Sequence, residues 1–187
     1  MFSFVVVAVL LAVTPSLAVW PIPQKYTTGS TALRLSPSFS IKLSGINPAP
    51  QDLLAAISRT SDHLRKDKLQ ALVPDRGASS ANAVRAAKAL DTLTVSLTSN
   101  AKVRSIAEEA VDDIESRVEG YELTIPANGS GATLKANSSL GLLRGLTTFT
   151  QLWYNLDETT YTLEAPFTIV DAPAYPYRGL MLDTARN

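Results

Sequence analysis

The chain has 187 residues, 45% of them hydrophobic, and its 17 basic and 17 acidic side chains give a formal net charge of zero. This length and composition suffice for one domain with a hydrophobic core. No basic stripe is present to neutralise phosphates, which argues against a nucleic-acid partner. The absence of cysteine from the sequence excludes disulfides, thiolate metal sites and a cysteine nucleophile. We expect neither a metal site nor a cofactor, because the single histidine, His63, has no neighbouring ligand set.

The first 18 residues have the pattern of a secretory signal. An apolar run extends from Phe4 to Val13, and small residues follow at Ser16 and Ala18. The run is too short to cross a bilayer as a helix, which argues against a membrane anchor. We therefore predict cleavage after Ala18 and a secreted, extracellular or vacuolar (lysosome-like) protein.

The first half of the mature chain alternates strands and helices. Its prolines predict an extended arm at the start, with Trp20 as an apolar anchor. Apolar periodicity predicts strands at 39–43 and 93–97 and a helix at 51–68. The stretch 73–90 predicts a loop with one or two helical turns. Ser105 and Glu108 form a capping-box pattern that predicts a helix over 106–117.

The second half predicts a hairpin, a helix and a strand. Residues 121–125 and 133–136 flank a turn rich in glycine and asparagine, which is typical of a hairpin. A helix capped by Ser138 or Ser139 follows, reaching about residue 154. Gly141 and Gly145 lie on one face of that helix and predict close contact with a sheet. Residues 161–170 predict the next strand.

Several acidic pairs could suggest acid–base chemistry. Glu108-Glu109 and Asp112-Asp113 are adjacent on the chain, so the members of each pair point to different sides of a helix, and we interpret them as a solvated face. Two N-x-S triplets, at Asn128 and Asn137, become candidate glycosylation sites in a secreted chain.

The closing stretch predicts a strand buried on both faces. Pro173 and Pro176 keep the chain extended, and a short apolar run, 179–182, follows. Together these elements predict an α+β fold, with helices on one face of a small, mainly antiparallel sheet.

Several of these segments together resemble the N-terminal part of the family 20 glycoside hydrolases, the β-N-acetylhexosaminidases, above all the secreted fungal kind. The segments are the opening VWPIPQ, the strand ELTI, the helix ANSSLGLLRGLTTFTQL and the closing IVDAP through RGLMLDT. Each motif alone is modest, but their order and spacing are specific.

The resemblance implies three parts: a signal peptide (1–18), an N-terminal α+β domain (19–172) and the start of a catalytic (β/α)8 barrel (173–187), truncated at its first strand. It implies hydrolysis of terminal GlcNAc or GalNAc by substrate-assisted, retaining catalysis, with an Asp-Glu pair that comes after the first barrel strand. We therefore expect no catalytic residue in this chain and no hydrolase activity. Asp157-Glu158 precedes the barrel and is not interpreted as that pair.

Arg178 matches the family's arginine that hydrogen-bonds sugar hydroxyls, so the resemblance implies a substrate-binding role for it. The alternative for Arg178 is a structural ion pair at a domain seam. The resemblance also implies the missing barrel as a partner and a homodimer of the full-length enzyme. The alternative function is a non-enzymatic accessory or propeptide-like domain that packs on a barrel partner through its exposed apolar strand. A carbohydrate-binding module is a weaker interpretation, because the aromatic residues lie mostly on core faces.

Overall fold

The computed structural model describes residues 19–66 and 77–183. The predicted signal (1–18), the segment 67–76 and the last four residues lie outside the described residues. The described chain forms strands β1 to β6 and helices α1 to α4, with a 3-10 turn, Ala78–Ser80, before α2. In chain order they are β1 (Lys25–Ser44), α1 (Gln51–Lys66), α2 (Ala81–Ala86), β2 (Lys88–Leu97), α3 (Ile106–Ala110), β3 (Tyr121–Ile125), β4 (Ala132–Ala136), α4 (Ser139–Gln151), β5 (Tyr154–Leu156) and β6 (Thr159–Asp171).

The six strands form one mixed sheet in the order β1-β2-β4-β3-β6-β5. Strand β2 runs parallel to both β1 and β4, whereas the pairs β3–β4, β3–β6, β5–β6 and β1–β6 are antiparallel. Because β1 pairs with both β2 and β6, the pairings of five strands close into a circuit. The predicted α+β fold with a mainly antiparallel sheet is confirmed.

One face of the sheet carries the hydrophobic core. In β3, Tyr121, Leu123 and Ile125 are buried, while Glu122 and Thr124 between them are exposed, as strand alternation requires. Helix α4 packs on β2, β3 and β4 as well as on α1. It contributes apolar side chains that are almost completely buried: Leu142, Leu146 and Phe149. The helices therefore cover the apolar face, as the sequence predicts.

The first strand is much longer than the sequence predicts. The expected extended arm (19–35), from Lys25 onward, and the short strand at 39–43 are parts of one strand of 20 residues. Its beginning pairs with β6 and its end pairs with β2, so partners from distant parts of the chain determine its length. The predicted anchoring role of Trp20 is wrong, because its side chain is 84% exposed and the neighbouring Val19 is buried instead.

Helix α3 is shorter than predicted although its start is as expected. The capping box at Ser105 is present: its hydroxyl accepts from the Glu108 amide, and the Glu108 carboxylate accepts from the Ser105 amide. The helix ends at Ala110 instead of continuing to 117. The Asp113 carboxylate accepts a hydrogen bond from the Glu115 amide, an alternative to helical pairing that favours turns.

The sheet comes close to α4 at both of its glycines, which confirms that prediction. A Cβ atom on Gly141 would lie 2.5 Å from the carbonyl oxygen of Gly120. A Cβ atom on Gly145 would lie 2.2 Å from Leu134 Cδ1. Neither position has room for a side chain without displacement of its neighbour.

The predicted buried strand at 179–182 is not formed. The segment belongs to no helix or strand, and Leu180 is 94% exposed. A parallel strand needs a neighbour on the sheet, and the described residues provide none beside this segment.

Candidate functional site

A buried carboxylate, Glu119, links α4 to the segment that follows β6. It stands two residues before β3, and its side chain is only 5% exposed. The Arg178 Nη2 group donates to both of its oxygens, at 2.8 Å and 2.6 Å. From α4, the Arg144 Nε group donates to Glu119 Oε2 at 2.7 Å. Glu119 therefore joins the sheet, α4 and the segment after β6.

The two guanidinium groups keep Glu119 ionised. Burial raises the pKa of the Glu119 carboxyl, but the hydrogen bonds and positive charges of Arg178 and Arg144 outweigh it, so the net pKa is lowered. Loss of the arginines would leave a buried charge without compensation, which is strongly unfavourable. The cluster is therefore an interdependent unit, in which the carboxylate and both arginines need one another.

Arg178 is held on its other side by its own segment. Its Nη1 group donates to the carbonyl oxygens of Tyr175, at 2.5 Å, and Pro176, at 3.5 Å. The structure thus places Arg178 in an ion pair, the arrangement expected of the structural alternative. Its substrate-binding role stays a prediction.

Glu109 is a second buried carboxylate, and the prediction of a solvated face is wrong for it. Its Oε2 accepts a 2.6 Å hydrogen bond from the Leu140 amide in the first turn of α4. The Ser138 hydroxyl accepts from the Gly141 amide and caps the same turn. Burial raises the Glu109 pKa, against the lowering effect of the backbone amides of Leu140 and Ser139. Glu109 therefore attaches α3 to the positive end of α4.

Neither Glu119 nor Glu109 has a sequence signal that identifies it. Glu119 is a single acidic residue before a glycine, and Glu109 has the same helical spacing as exposed acidic residues. Arg144 and Arg178 both lie within the family-like motifs, but those motifs do not reveal that the two residues share one carboxylate. Only the tertiary fold brings the three groups together.

Both candidate glycosylation sites have exposed asparagines. Asn128 Oδ1 accepts from the Ser130 amide within the β3–β4 turn. Asn137 Oδ1 accepts from the Thr98 hydroxyl at 2.6 Å, and the Ser139 hydroxyl of its triplet is buried and donates to the carbonyl oxygen of Arg104. Glycan attachment stays a prediction at both positions.

The Asp157-Glu158 pair forms the turn between β5 and β6, a short hairpin that the sequence did not predict. Both residues have positive φ angles, 46° and 67°, which such two-residue turns require.

Within 19–66 and 77–183, no three His, Cys, Asp or Glu side chains are close enough to hold a metal ion. None of the helices there has the length and apolar character needed to span a membrane.

The comparison with curated proteins finds hexosaminidases. The chain is 29% identical over 175 residues to beta-hexosaminidase 1 of Arabidopsis thaliana, a match that covers 90% of this chain and 30% of the relative. It is 38% identical over 103 residues to the beta-hexosaminidase subunit beta of Mus musculus, covering 55% of this chain and 18% of the relative. The chain thus spans less than a third of the length of these relatives.

Solved structures and family models agree with this result. The chitobiase of Flavobacterium johnsoniae is 26% identical, with a TM-score of 0.59, and the match covers 91% of this chain and 23% of that one. An exo beta-N-acetylglucosaminidase of Vibrio harveyi shares the fold, with a TM-score of 0.53 at 16% identity, over 92% of this chain and 22% of that one. The family model described as "beta-acetyl hexosaminidase like" matches residues 19–152, which include most of the sheet and all four helices. The chain therefore belongs to the beta-acetyl hexosaminidase-like family, and it carries the N-terminal domain of that family.

Proposed function

We propose that residues 19–172 are the non-catalytic domain of a secreted exo-β-N-acetylhexosaminidase that releases terminal GlcNAc or GalNAc by substrate-assisted, retaining catalysis. The observation that carries the proposal is the family match over 19–152, which falls within the folded layer and leaves out the segment after β6. The catalytic Asp-Glu pair belongs to the barrel in this proposal, so the chain by itself lacks hydrolase activity.

In this proposal, Glu119, Arg144 and Arg178 (the Glu119 cluster) attach the domain to the barrel. Arg178 lies in the segment that leads to the proposed barrel, and Glu119 and Arg144 hold it against the domain. A barrel that begins there would be fixed to α4 and to the start of β3. The proposed domain therefore orients the barrel, whether or not Arg178 also contacts sugar.

The first test is an activity assay of the purified chain. We expect no release of nitrophenol from the 4-nitrophenyl N-acetyl-β-glycosides of glucosamine and galactosamine, because the acid and the orienting carboxylate are not in this domain. A full-length hexosaminidase serves as the positive control. Turnover that stays with the chain through purification would overturn the proposal.

The alternative is an accessory domain that binds a barrel without taking part in catalysis, and one observation favours it. The apolar residues Leu180, Met181 and Leu182 are exposed, so they are available to a partner. The test mixes the chain with a separately produced barrel of the Flavobacterium johnsoniae chitobiase. Increased barrel activity supports the enzyme-domain proposal, and binding without increased activity supports the accessory role. A chain carrying Leu180→Asp and Leu182→Asp is the matched control, and it should not bind in either case.

A further inference from the structure

A cavity of about 430 Å³ lies beside the Glu119 cluster, between α4, the turns after α3 and the segment after β6. Three of its six lining residues are arginines: Arg117, Arg144 and Arg178. The other three are Ile114, Pro176 and Tyr177, so none of the six is acidic. An uncharged ligand does not need three guanidinium groups around one cavity.

The arginines that line the cavity are bonded to a single carboxylate, that of Glu119. Glu119 serves both Arg144 and Arg178. Asp112 is held by Arg104, whose Nη groups donate to its two oxygens at 2.6 Å and 2.9 Å. Arg117 donates through Nε to the carbonyl oxygen of Asp112, a neutral acceptor. Of the three arginines that line the cavity, Arg144 and Arg178 therefore share one carboxylate, and Arg117 is bonded to a carbonyl oxygen instead of a carboxylate.

The pKa directions of the two carboxylates agree with these pairings. The pKa of Asp112 is lowered, chiefly by its hydrogen bond to Arg104. Burial opposes this shift, and the positive charges of Arg104 and Arg117 add to it. The lowered pKa of Glu119 has the same kind of cause. Both carboxylates are therefore ionised and already bonded to arginines.

We propose that this cavity binds an oxyanion, either a carboxylate or a sulfate or phosphate group. Guanidinium groups present planar, paired donors that match the oxygens of these groups. Arg144 and Arg178 remain partly exposed, with 42% and 38% of their side chains accessible, so their donors can reach a ligand in the cavity. All six lining residues belong to the described chain, so the test uses this chain alone, and its failure would leave the proposed hexosaminidase function untouched.

The test is a titration of the purified chain, labelled with ¹⁵N, with sodium sulfate and separately with sodium acetate. Sodium chloride keeps the ionic strength constant. The Nε–H signals of the arginines are followed by NMR. We expect saturable shifts of Arg117 and Arg144, and no saturable shift of Arg85 on α2, which serves as the internal control. Saturation by neither anion, or equal shifts at Arg85, overturns the proposal.

Variants separate a specific site from general attraction. Arg117→Met should weaken the apparent affinity about tenfold, because it removes one charge-assisted contact. Arg117→Lys should weaken it less, since it keeps the charge and loses the paired donors. Arg85→Met should change nothing. If Arg117→Met retains the chain's NMR dispersion and binds with unchanged affinity, the proposal is wrong.

The two anions distinguish the source of the ligand. Acetate binding indicates an acidic side chain, such as one from a domain that packs on this seam. Binding of sulfate without acetate indicates a free or sugar-borne sulfate or phosphate group. Either result supports the oxyanion site.

Discussion

Gly141 offers the most direct test of how closely α4 packs on the sheet. In Gly141→Ala, the new Cβ would lie 2.5 Å from the Gly120 carbonyl oxygen and 3.0 Å from Ala136 Cβ. The first of these neighbours is backbone, so it cannot move away by rotating a side chain. Alanine favours a helix over glycine by about 1 kcal/mol, but forcing an atom into a packed interior costs typically 1–3 kcal/mol.

The clash with backbone places the cost near the upper end of that range, at about 3 kcal/mol. After the helical gain is subtracted, we expect Gly141→Ala to lower the free energy of unfolding by about 2 kcal/mol. For a chain of this size, that is a decrease in Tm of roughly 4–8 °C. Urea denaturation and thermal melting, both followed by circular dichroism, measure the two quantities.

Thr147→Ala is the matched control, because Thr147 is an exposed residue of the same helix. Its hydroxyl donates only to the carbonyl oxygen of Leu143, one turn earlier. We expect its free energy of unfolding to stay within about 0.5 kcal/mol of wild type. A Gly141→Ala variant as stable as Thr147→Ala would refute the proposed clash.

Charge, capping and exposure give three smaller predictions. Glu119→Gln should lower the free energy of unfolding by about 2 kcal/mol at pH 7. The loss is smaller than for a fully buried ion pair, because the two arginines are partly exposed. Because the folded-state pKa of Glu119 is lowered from 4.5, its contribution is present above that value and lost as pH falls through the folded-state pKa. Urea denaturation at pH 7 and pH 3 tests this, and a pH-independent difference contradicts it. Ser105→Ala should lose about 1 kcal/mol of cap stabilisation in the same assay, and an unchanged midpoint contradicts it. Trp20→Ala should leave the melting temperature unchanged, since a large decrease would show that Trp20 packs against the fold.

Local patterns of sequence predict the elements whose partners are nearby. The β3–β4 hairpin, the cap at Ser105 and the glycine face of α4 depend on residues a few positions apart, and all three are present. The family motifs also identify the N-terminal domain, which the family match over 19–152 confirms. The residue spacings that predict these local features are visible in the sequence without knowledge of the tertiary fold.

The remaining features depend on distant partners, which local patterns do not contain. Glu109 is buried against the first turn of α4, where the amide of Leu140, 31 positions later in the chain, donates to its carboxylate. The length of β1 depends on β6 at the other end of the domain. The Asp157-Glu158 turn has positive φ angles without glycine, so it lacks the usual sequence signal.

The pairing of β1 with β6 has a consequence for the order of folding. The Gln24 amide donates to Asp171 Oδ1 across 147 positions, and Lys25 pairs with Val170 next to it. At a synthesis rate of about 5–20 residues per second, the start of β1 waits roughly 7–30 s on the ribosome before its partner strand exists. During that interval its backbone donors and acceptors form an open edge. The domain therefore completes its sheet only after translation has passed residue 171, and until then the start of β1 lacks its β6 partner.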